Sequence, residues 1–365
     1  MKSVFTPVSS PVITTLLASG TAILLSACGG ADVASGTAGT AASVTSATST
    51  IAGPGDVAQH TTQNTAQGSQ LLARTRRAPA ATAATTPAAA STDHLYVATN
   101  GSDANPGTQD APFATITRAA AAATPGTTVH VAPGTYAGNV TTGASGSAGR
   151  RIIFLSDTKW GARIVGSGSG AMWTNNGSYV DITGFDVSGP GRLGIVNNGS
   201  YTLVSNNHVH DLTISSGCSG SGGAGIVNAN YSASNGDIIS NVVHDIGTPG
   251  GCKGVQGIYS SNNGGQILIN DVYRVSAYGI HLWHAASNVT IAGNHVFANG
   301  ANGVGGGILL GTGDSPGGVL LENTRVTDNT VHDNPGGGIV QYCYVGLSCI
   351  GSGNVIANNV LYNNG

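Results

Sequence analysis

The sequence is poor in charge, in large aromatic side chains and in lysine, and each shortage removes a class of protein. Charged residues make up 8% of the 365 positions and aromatics 5%. So few charges cannot clothe the outside of a typical helical domain, and so few rings cannot fill a core built on large aromatics. Lysine occurs only at Lys2, Lys159 and Lys253, and the formal net charge is −3. No basic patch is available to a phosphate backbone, so no nucleic-acid partner is expected. What the chain has instead is 57 glycines and abundant Asn, which points to a β-dominated protein with many tight corners. Its length gives room for one large domain or two ordinary ones.

Two N-terminal stretches are expected to lie outside the fold. Over residues 1–28, Lys2 is followed by an interrupted apolar stretch that ends Ile23-Leu24-Leu25, then Ser26-Ala27-Cys28. A charged start, a short apolar run and small residues before a cut site describe a secretory signal. Leu25-Ser26-Ala27-Cys28 also resembles the lipobox of bacterial lipoproteins, which implies lipidation of Cys28 rather than simple secretion. Gly29 after it resembles the outer-membrane sorting pattern. The expected location is therefore outside the cytoplasm, as an outer-membrane lipoprotein or an extracellular or periplasmic protein. Residues 29–93 are almost wholly Ala, Thr, Ser and Gly without a sustained period. Such a segment buries too little apolar surface to offset its ordering entropy and reads as a disordered tether spanning about 45 Å. Arg74, Arg76 and Arg77 within it read as a solvated patch near anionic headgroups.

From residue 180 onward two phrases alternate. The first, Asn-x-Val-(His/Tyr/Phe), has its apolar residue at Val187, Val209, Val243, Val272, Val296, Val331 and Leu361. The second, Gly-Ile-x, has it at Ile195, Ile226, Ile258, Ile280, Ile308 and Ile339, interleaved with the first. Val to Ile takes 8 residues at its shortest and Ile to the next Val takes 14, so the bare repeat is 22 residues. No heptad or ankyrin-like pattern fits, and the runs are β-branched and end at Gly or Asn. Short strands with Asn and Gly corners at this period predict a parallel β-helix, each coil stacked on its neighbours. Asn207, Asn241, Asn270, Asn294, Asn329 and Asn359 share the parity of the Val two residues on, with Phe185 in that slot of the first coil. They are expected to point inward and bond along the stack as a structural ladder.

Residues 94–140 read differently. Tyr96-Val97-Ala98-Thr99-Asn100-Gly101-Ser102-Asp103 is followed by Asn105-Pro106-Gly107-Thr108, Pro112-Phe113-Ala114-Thr115-Ile116, an Ala-rich helix at about 115–123, and Pro133-Gly134-Thr135-Tyr136. This resembles the opening segment of the pectate-lyase-like superfamily, in which a strand and a short helix cover the end of the first coil. An uncovered coil end is an unpaired sheet edge. Together with the repeat, the resemblance covers residues 94–365. It implies an all-β fold, a single-stranded right-handed parallel β-helix with a short N-terminal capping helix. It does not fix the activity, because that superfamily holds lyases, hydrolases, epimerases and plain binding proteins. The chain stops at Asn363-Asn364-Gly365 in mid-coil without a visible cap, so part of the domain is expected to lie beyond it.

Of five cysteines, Cys28 is taken by the lipid. Cys218 and Cys252 each lie nine residues after the Val of consecutive coils, which stacks them about 4.8 Å apart, within disulfide reach. Cys343 and Cys349 then close a small loop. A metal site built from all four thiolates is the rival. An oxidising compartment and the lack of CxxC spacing weigh against it.

Insertions locate a groove. The Val209-to-Ile226 and Val243-to-Ile258 segments exceed the minimum by 9 and 7 residues, and Ile308-to-Val331 and Ile339-to-Leu361 by 9 and 8. Between them, residues 272–286 form a nearly bare coil, the expected floor of the groove. Alternation from Ile280 sends His281 and Trp283 outward, with Tyr259 stacked on His281 and Tyr342 in the Trp283 slot two coils on. An exposed row of rings suits stacking on sugars; a packed patch under the loops is the bland alternative. In lyases of the resembled superfamily a Lys, Arg, His or Tyr removes the proton α to a uronate carboxylate while a cation neutralises the enolate. That assigns Lys253, His281, Arg274 and Tyr259 as the candidate catalytic set, and Trp283, His284, Tyr342 and Tyr278 as substrate-binding residues. Lys253 as a merely solvated side chain stays open.

His210, His244 and His332 share their slot with Tyr273, Phe297 and Tyr362 and read as an outer stacking ladder, so no metal site is expected. Asp211, Asp245 and Asp333 read as corner residues. Calcium is conceivable, but no dense Asp cluster supports it, and no cofactor is expected. A hydrolase needs two carboxylates about 5–10 Å apart, and the floor offers only Asp271. The Asp-Pro-His motif of related carbon-5 epimerases is absent. The reading is a monomeric lyase acting on an acidic, uronate-containing polysaccharide and touching the membrane only through its lipid. The alternatives are a non-catalytic glycan-binding surface module and a glycoside hydrolase.

Overall fold

The computed structural model describes residues 94–168, 170–214, 222–247, 252–284, 286–300, 305–312, 320–343 and 349–365. Cys28, the 29–93 tether and Cys218 lie outside the described residues. Three long parallel sheets wrap one continuous core. Sheet A has ten strands, from His94–Val97 to Val355–Ala357; sheet B has nine, from Gly134–Ala137 to Val360–Tyr362; sheet C has eight, from Val140–Thr142 to Ile339–Cys343. Each coil contributes one short strand to A, then B, then C, and pairs in register with the coils before and after it.

Inward-pointing residues stack as ladders, as the two sequence phrases predict. Val187, Val209, Val243, Val272, Val296 and Val331 line the inside of sheet B, and Ile195, Ile226, Ile258, Ile280 and Ile308 the inside of sheet C, all fully buried. A third ladder, which the phrases do not reveal, runs inside sheet A through Phe154, Ile182, Val204, Ile238, Ile267, Ile291 and Val326. Glycine precedes each sheet C isoleucine for a steric reason. A Cβ on Gly257 would sit 2.5 Å from Cγ1 of Val272, and one on Gly279 2.5 Å from Cγ1 of Val296. The chain must close that tightly for a 22-residue coil to leave no void.

The asparagine ladder is present, and its members from Asn207 to Asn329 are buried. Oδ1 of Asn241 accepts from the backbone N–H and the side-chain amide of Asn207, and Asn270, Asn294, Asn329 and Asn359 repeat the arrangement at 2.9–3.0 Å. Phe185 stands in the first slot and donates its backbone N–H to Asn207, as expected. Two further ladders escaped the sequence reading: Asn175–Asn197–Asn228 at the corner after sheet C, and Asn299–Asn334–Asn364 at the corner after sheet B. At each of these corners polar backbone groups would otherwise be stranded in the core.

The opening segment covers the first coil. Helix Ile116–Ala122 starts at Thr115, whose hydroxyl accepts from Arg118 N–H, and buries Ile116, Ala119 and Ala120. The Asp103 carboxylate accepts from the N–H groups of Ala114 and Thr115 and from the Thr115 hydroxyl, which ties the Asn100–Asp103 turn to the helix start. Cys343 and Cys349 are bridged. Cys252 is buried and disulfide-bonded.

One side chain on the outside of sheet A is held in an unfavourable state. Burial pushes the Asp237 carboxyl up to about 6 from 3.8, although the Gln266 N–H it accepts and nearby Arg151 pull the other way. Between those values the native state holds a proton that the unfolded chain has released, so this group's contribution to stability declines as pH rises from about 4 to 6. Asp237→Asn keeps an acceptor for Gln266. Urea unfolding should show it about 2 kcal/mol more stable than wild type at pH 7 and equal to it below pH 4. A variant no more stable at pH 7 would refute the assignment.

Candidate functional site

The outer face of sheet C carries a cluster of rings around His281. Ile280 and Leu282 point into the core, so His281 and Trp283 between and beyond them point out. Register pairs His281 with Tyr259, whose ring stands edge-on at 5.1 Å, while Trp283 lies at 5.1 Å and Tyr278 at 5.6 Å. Outward does not mean exposed here. His281 is 3% and Trp283 5% accessible, which corrects the expectation of an open aromatic row at these two positions. Tyr278 and Trp283 of the same coil and Tyr259 of the preceding one, a coil spacing near 4.8 Å away, pack around the imidazole.

Both ring nitrogens of His281 are buried without a hydrogen-bond partner. Burial, with a smaller contribution from His284, pulls its pKa down to about 3. The imidazole is therefore neutral across the physiological range and poorly suited to take a proton unaided.

From His281 the rings continue to the surface in two directions. Trp283 stacks near-parallel on Tyr342 at 6.0 Å, and Tyr342 is 49% exposed. Gly311 lies between them in register; a Cβ there would come within 3.1 Å of the indole and 2.0 Å of the Tyr342 carbonyl oxygen, so only glycine admits the stack. On the other side His284, 6.4 Å from Trp283, packs at 4.2 Å against Tyr231, which is 44% exposed. The row Tyr231–His284–Trp283–Tyr342 links side chains from coils four steps apart, with successive ring centres 4.2, 6.4 and 6.0 Å from one another. Tyr231 was missed by the sequence reading. Its signal was an aromatic inside the Ile226-to-Val243 segment, which exceeds the minimum length.

The remaining candidates are not brought together with His281. Arg274 lies on strand Asp271–Val275 of sheet B, pairs with both oxygens of Asp245 and stacks over Tyr273 at 4.5 Å. Arg274 beside Asp245 holds that carboxyl below the usual range, so the guanidinium is already committed to an anion on another face. Lys253 is exposed in the turn before Val255–Ser260, at the opposite end of that strand from Tyr259. At about 3.3 Å per residue the run from Val255 to Tyr259 alone separates them by about 13 Å.

Sheet B presents a different chemistry. His210, His244, Tyr273, Phe297, His332 and Tyr362 form the outer ladder expected of them, neighbouring rings lying 4.5–5.4 Å apart and near-parallel. The slot two residues earlier adds Asp186 and His208 in register, then Asp271 and His295. His208 bonds Asp186 through Nδ1 at 3.1 Å and faces His244 through Nε2 at 2.8 Å.

Comparison with known proteins places the architecture. A family described as a protein of unknown function, DUF1565, matches residues 99–144. The uncharacterized protein YwoF of Bacillus subtilis (strain 168) is 45% identical over 62 residues, 17% of this chain and 13% of that protein, so the match spans only a small part of its length. Among solved structures, pectate lyase Pel9A aligns over 75% of this chain and 78% of its own at 20% identity and a TM-score of 0.51. An alginate lyase from Paenibacillus sp. str. FPU-7 aligns over 68% and 94% at 18% identity and a TM-score of 0.49. The fold is a pectate-lyase-like right-handed parallel β-helix.

Proposed function

We propose that the protein is a polysaccharide-active β-helix that seats a glycan chain along the ring row of sheet C and cleaves it by β-elimination where the glycan carries uronates. The observation that carries this reading is the Tyr231–His284–Trp283–Tyr342 row, open at both ends and wet at neither middle ring. Sugars present an apolar face to such rings and hydroxyls to polar groups beside them. Tyr259 and Tyr278 flank the unpartnered His281; a uronate entering there would meet hydroxyl and imidazole groups able to bond its carboxylate. The pectate lyase whose fold is shared is a lyase by its name, and this supports the same chemistry here at the level of fold analogy.

A second reading, glycan binding without cleavage, is favoured by one observation. Arg274, the cation assigned to the enolate, is held by Asp245 on sheet B. One experiment separates the two. The full chain is incubated with a panel of uronate-containing and neutral polysaccharides, and ultraviolet absorbance of the unsaturated product and binding are both recorded. Tyr231→Ala and Tyr342→Ala, which remove the exposed rings at the two ends of the row, are each expected to weaken binding by about 1–3 kcal/mol, the scale of a lost stacking platform. Binding with no product on any uronate leaves the binding module. Unchanged binding in both variants rejects the ring row itself.

A further inference from the structure

The face of sheet B carries a site that the glycan reading does not use. We propose that His208, His210 and His244 bind a divalent transition metal of the zinc class, with Asp186 orienting the His208 ring. The histidines come from two successive coils, with His210 in register with His244, and Asp186 pairs with His208 from the coil before. One nitrogen from each imidazole lies within 4.8 Å of the others. Four-coordinate zinc with nitrogen bonds of about 2.0–2.1 Å needs its donors about 3.4 Å apart, so small side-chain adjustments close the set.

The hydrogen-bond inventory points the same way. Carboxylates only accept, so Nδ1–H of His244 donates to Asp245 at 2.5 Å and Nδ1–H of His208 donates to Asp186 at 3.1 Å. In neutral imidazoles both Nε2 atoms are then bare lone pairs, yet they face each other at 2.8 Å. His210 has a carboxylate at each nitrogen, Asp211 at 2.7 Å and Asp186 at 3.0 Å. An electrophile shared by the Nε2 atoms resolves the contact between His208 and His244. Carboxylates that orient the far nitrogen of each ligand are what metal-bound histidines require. Asp186, whose Oδ2 accepts from His208 Nδ1, stands outside the three-imidazole cluster and orients the His208 ring. Three imidazoles suit zinc and its neighbours better than calcium.

The helix contains its own control. Three coils on, Asp271, His295 and His332 occupy the places of Asp186, His208 and His244, and His295 and His332 again face each other through Nε2 at 2.8 Å, with Asp333 on His332 Nδ1. There Phe297 fills the place of His210, so one donor is missing.

The test uses the tag-free full chain, stripped with chelator and titrated with Zn²⁺ by calorimetry, with elemental analysis after dialysis. Wild type should hold one zinc per chain. His244→Ala and His210→Phe should each weaken zinc binding by at least about 100-fold, and His332→Phe should leave it unchanged. Phe is tolerated in the ladder at 297, and circular dichroism checks that each variant is folded. A wild type without stoichiometric zinc overturns the proposal, and the facing histidines then share a proton instead. Undiminished affinity in both His210→Phe and His244→Ala, or loss of zinc in His332→Phe alone, overturns it as well.

Discussion

Asn270→Ala should destabilise the domain by about 3–5 kcal/mol, a large effect for removing one amide. Oδ1 of Asn270 accepts from Asn241 N–H at 2.9 Å and from Asn241 Nδ2 at 3.0 Å, and its own amide donates to Asn294 Oδ1 and to the carbonyl of Ile238. Alanine removes these four bonds inside a fully buried column. Backbone N–H of Asn241 is left with no acceptor and the Ile238 carbonyl loses its side-chain donor. Each buried polar group stranded this way costs about 1–3 kcal/mol, well above the net worth of an ordinary hydrogen bond. Asn241 Nδ2 keeps Val204 O as an acceptor, which limits the total. Urea midpoints of wild type and Asn270→Ala measure the difference. If Asn270→Ala falls within about 1 kcal/mol of wild type, the ladder is a consequence of the fold and not one of its supports.

The fold was legible because a 22-residue coil repeats the same physical demands. The Val of sheet B and the Ile of sheet C recur at fixed places, and the Asn before Val187's successors recurs with them. Sheet A escaped notice since its inner ladder mixes Phe154, Ile182, Val204 and Ile267 without a fixed companion residue. The Asn175–Asn197–Asn228 ladder escaped for a related reason. It follows the Gly-Ile phrase at a corner where later coils substitute Ser260 and Leu282.

The site was less legible than the fold. Alternation gives the direction of His281 and Trp283 correctly, but direction from one strand says nothing about what overlaps it from the next coil. Burial of both rings follows from Tyr259, Tyr278 and Gly311, which no spacing rule connects. Arg274 misled for a topological reason. Six residues before Ile280 looks close in sequence, yet the turn between sheets B and C separates the two faces. On sheet B, the repeat spacing assigns His210 and His244 a stacking role and leaves His208 unassigned, because its partners Asp186 and His244 are 22 and 36 residues away.

His281→Leu should raise stability at neutral pH by about 1–3 kcal/mol while abolishing recognition of the glycan. Leu309 already occupies the equivalent place on the next coil, so the side chain fits the face. The gain comes from removing two buried nitrogens that bond nothing, each a desolvation cost left unmet in the ligand-free protein. The pH dependence gives an independent reading. Native His281 stays neutral down to about 3, whereas the unfolded chain takes up that proton near 6.5. Below 6.5 the unfolded state therefore binds more protons, and wild-type stability declines on acidification by up to about 1.4 kcal/mol per pH unit from this group alone. Carboxylates contribute to acid unfolding in both proteins, so the informative quantity is the difference in slope between wild type and variant from pH 6.5 to 4. Asp237 acts with the opposite sign over part of that range and cancels in the comparison. A site that gives up stability to keep an imidazole neutral and unpartnered is poised for a ligand that satisfies it. Three results together support this: greater stability at pH 7, a shallower acid slope and lost glycan binding. A variant that keeps full glycan binding would make His281 a buried residue with no part in recognition, and the ring row would then act through its exposed ends, Tyr231 and Tyr342.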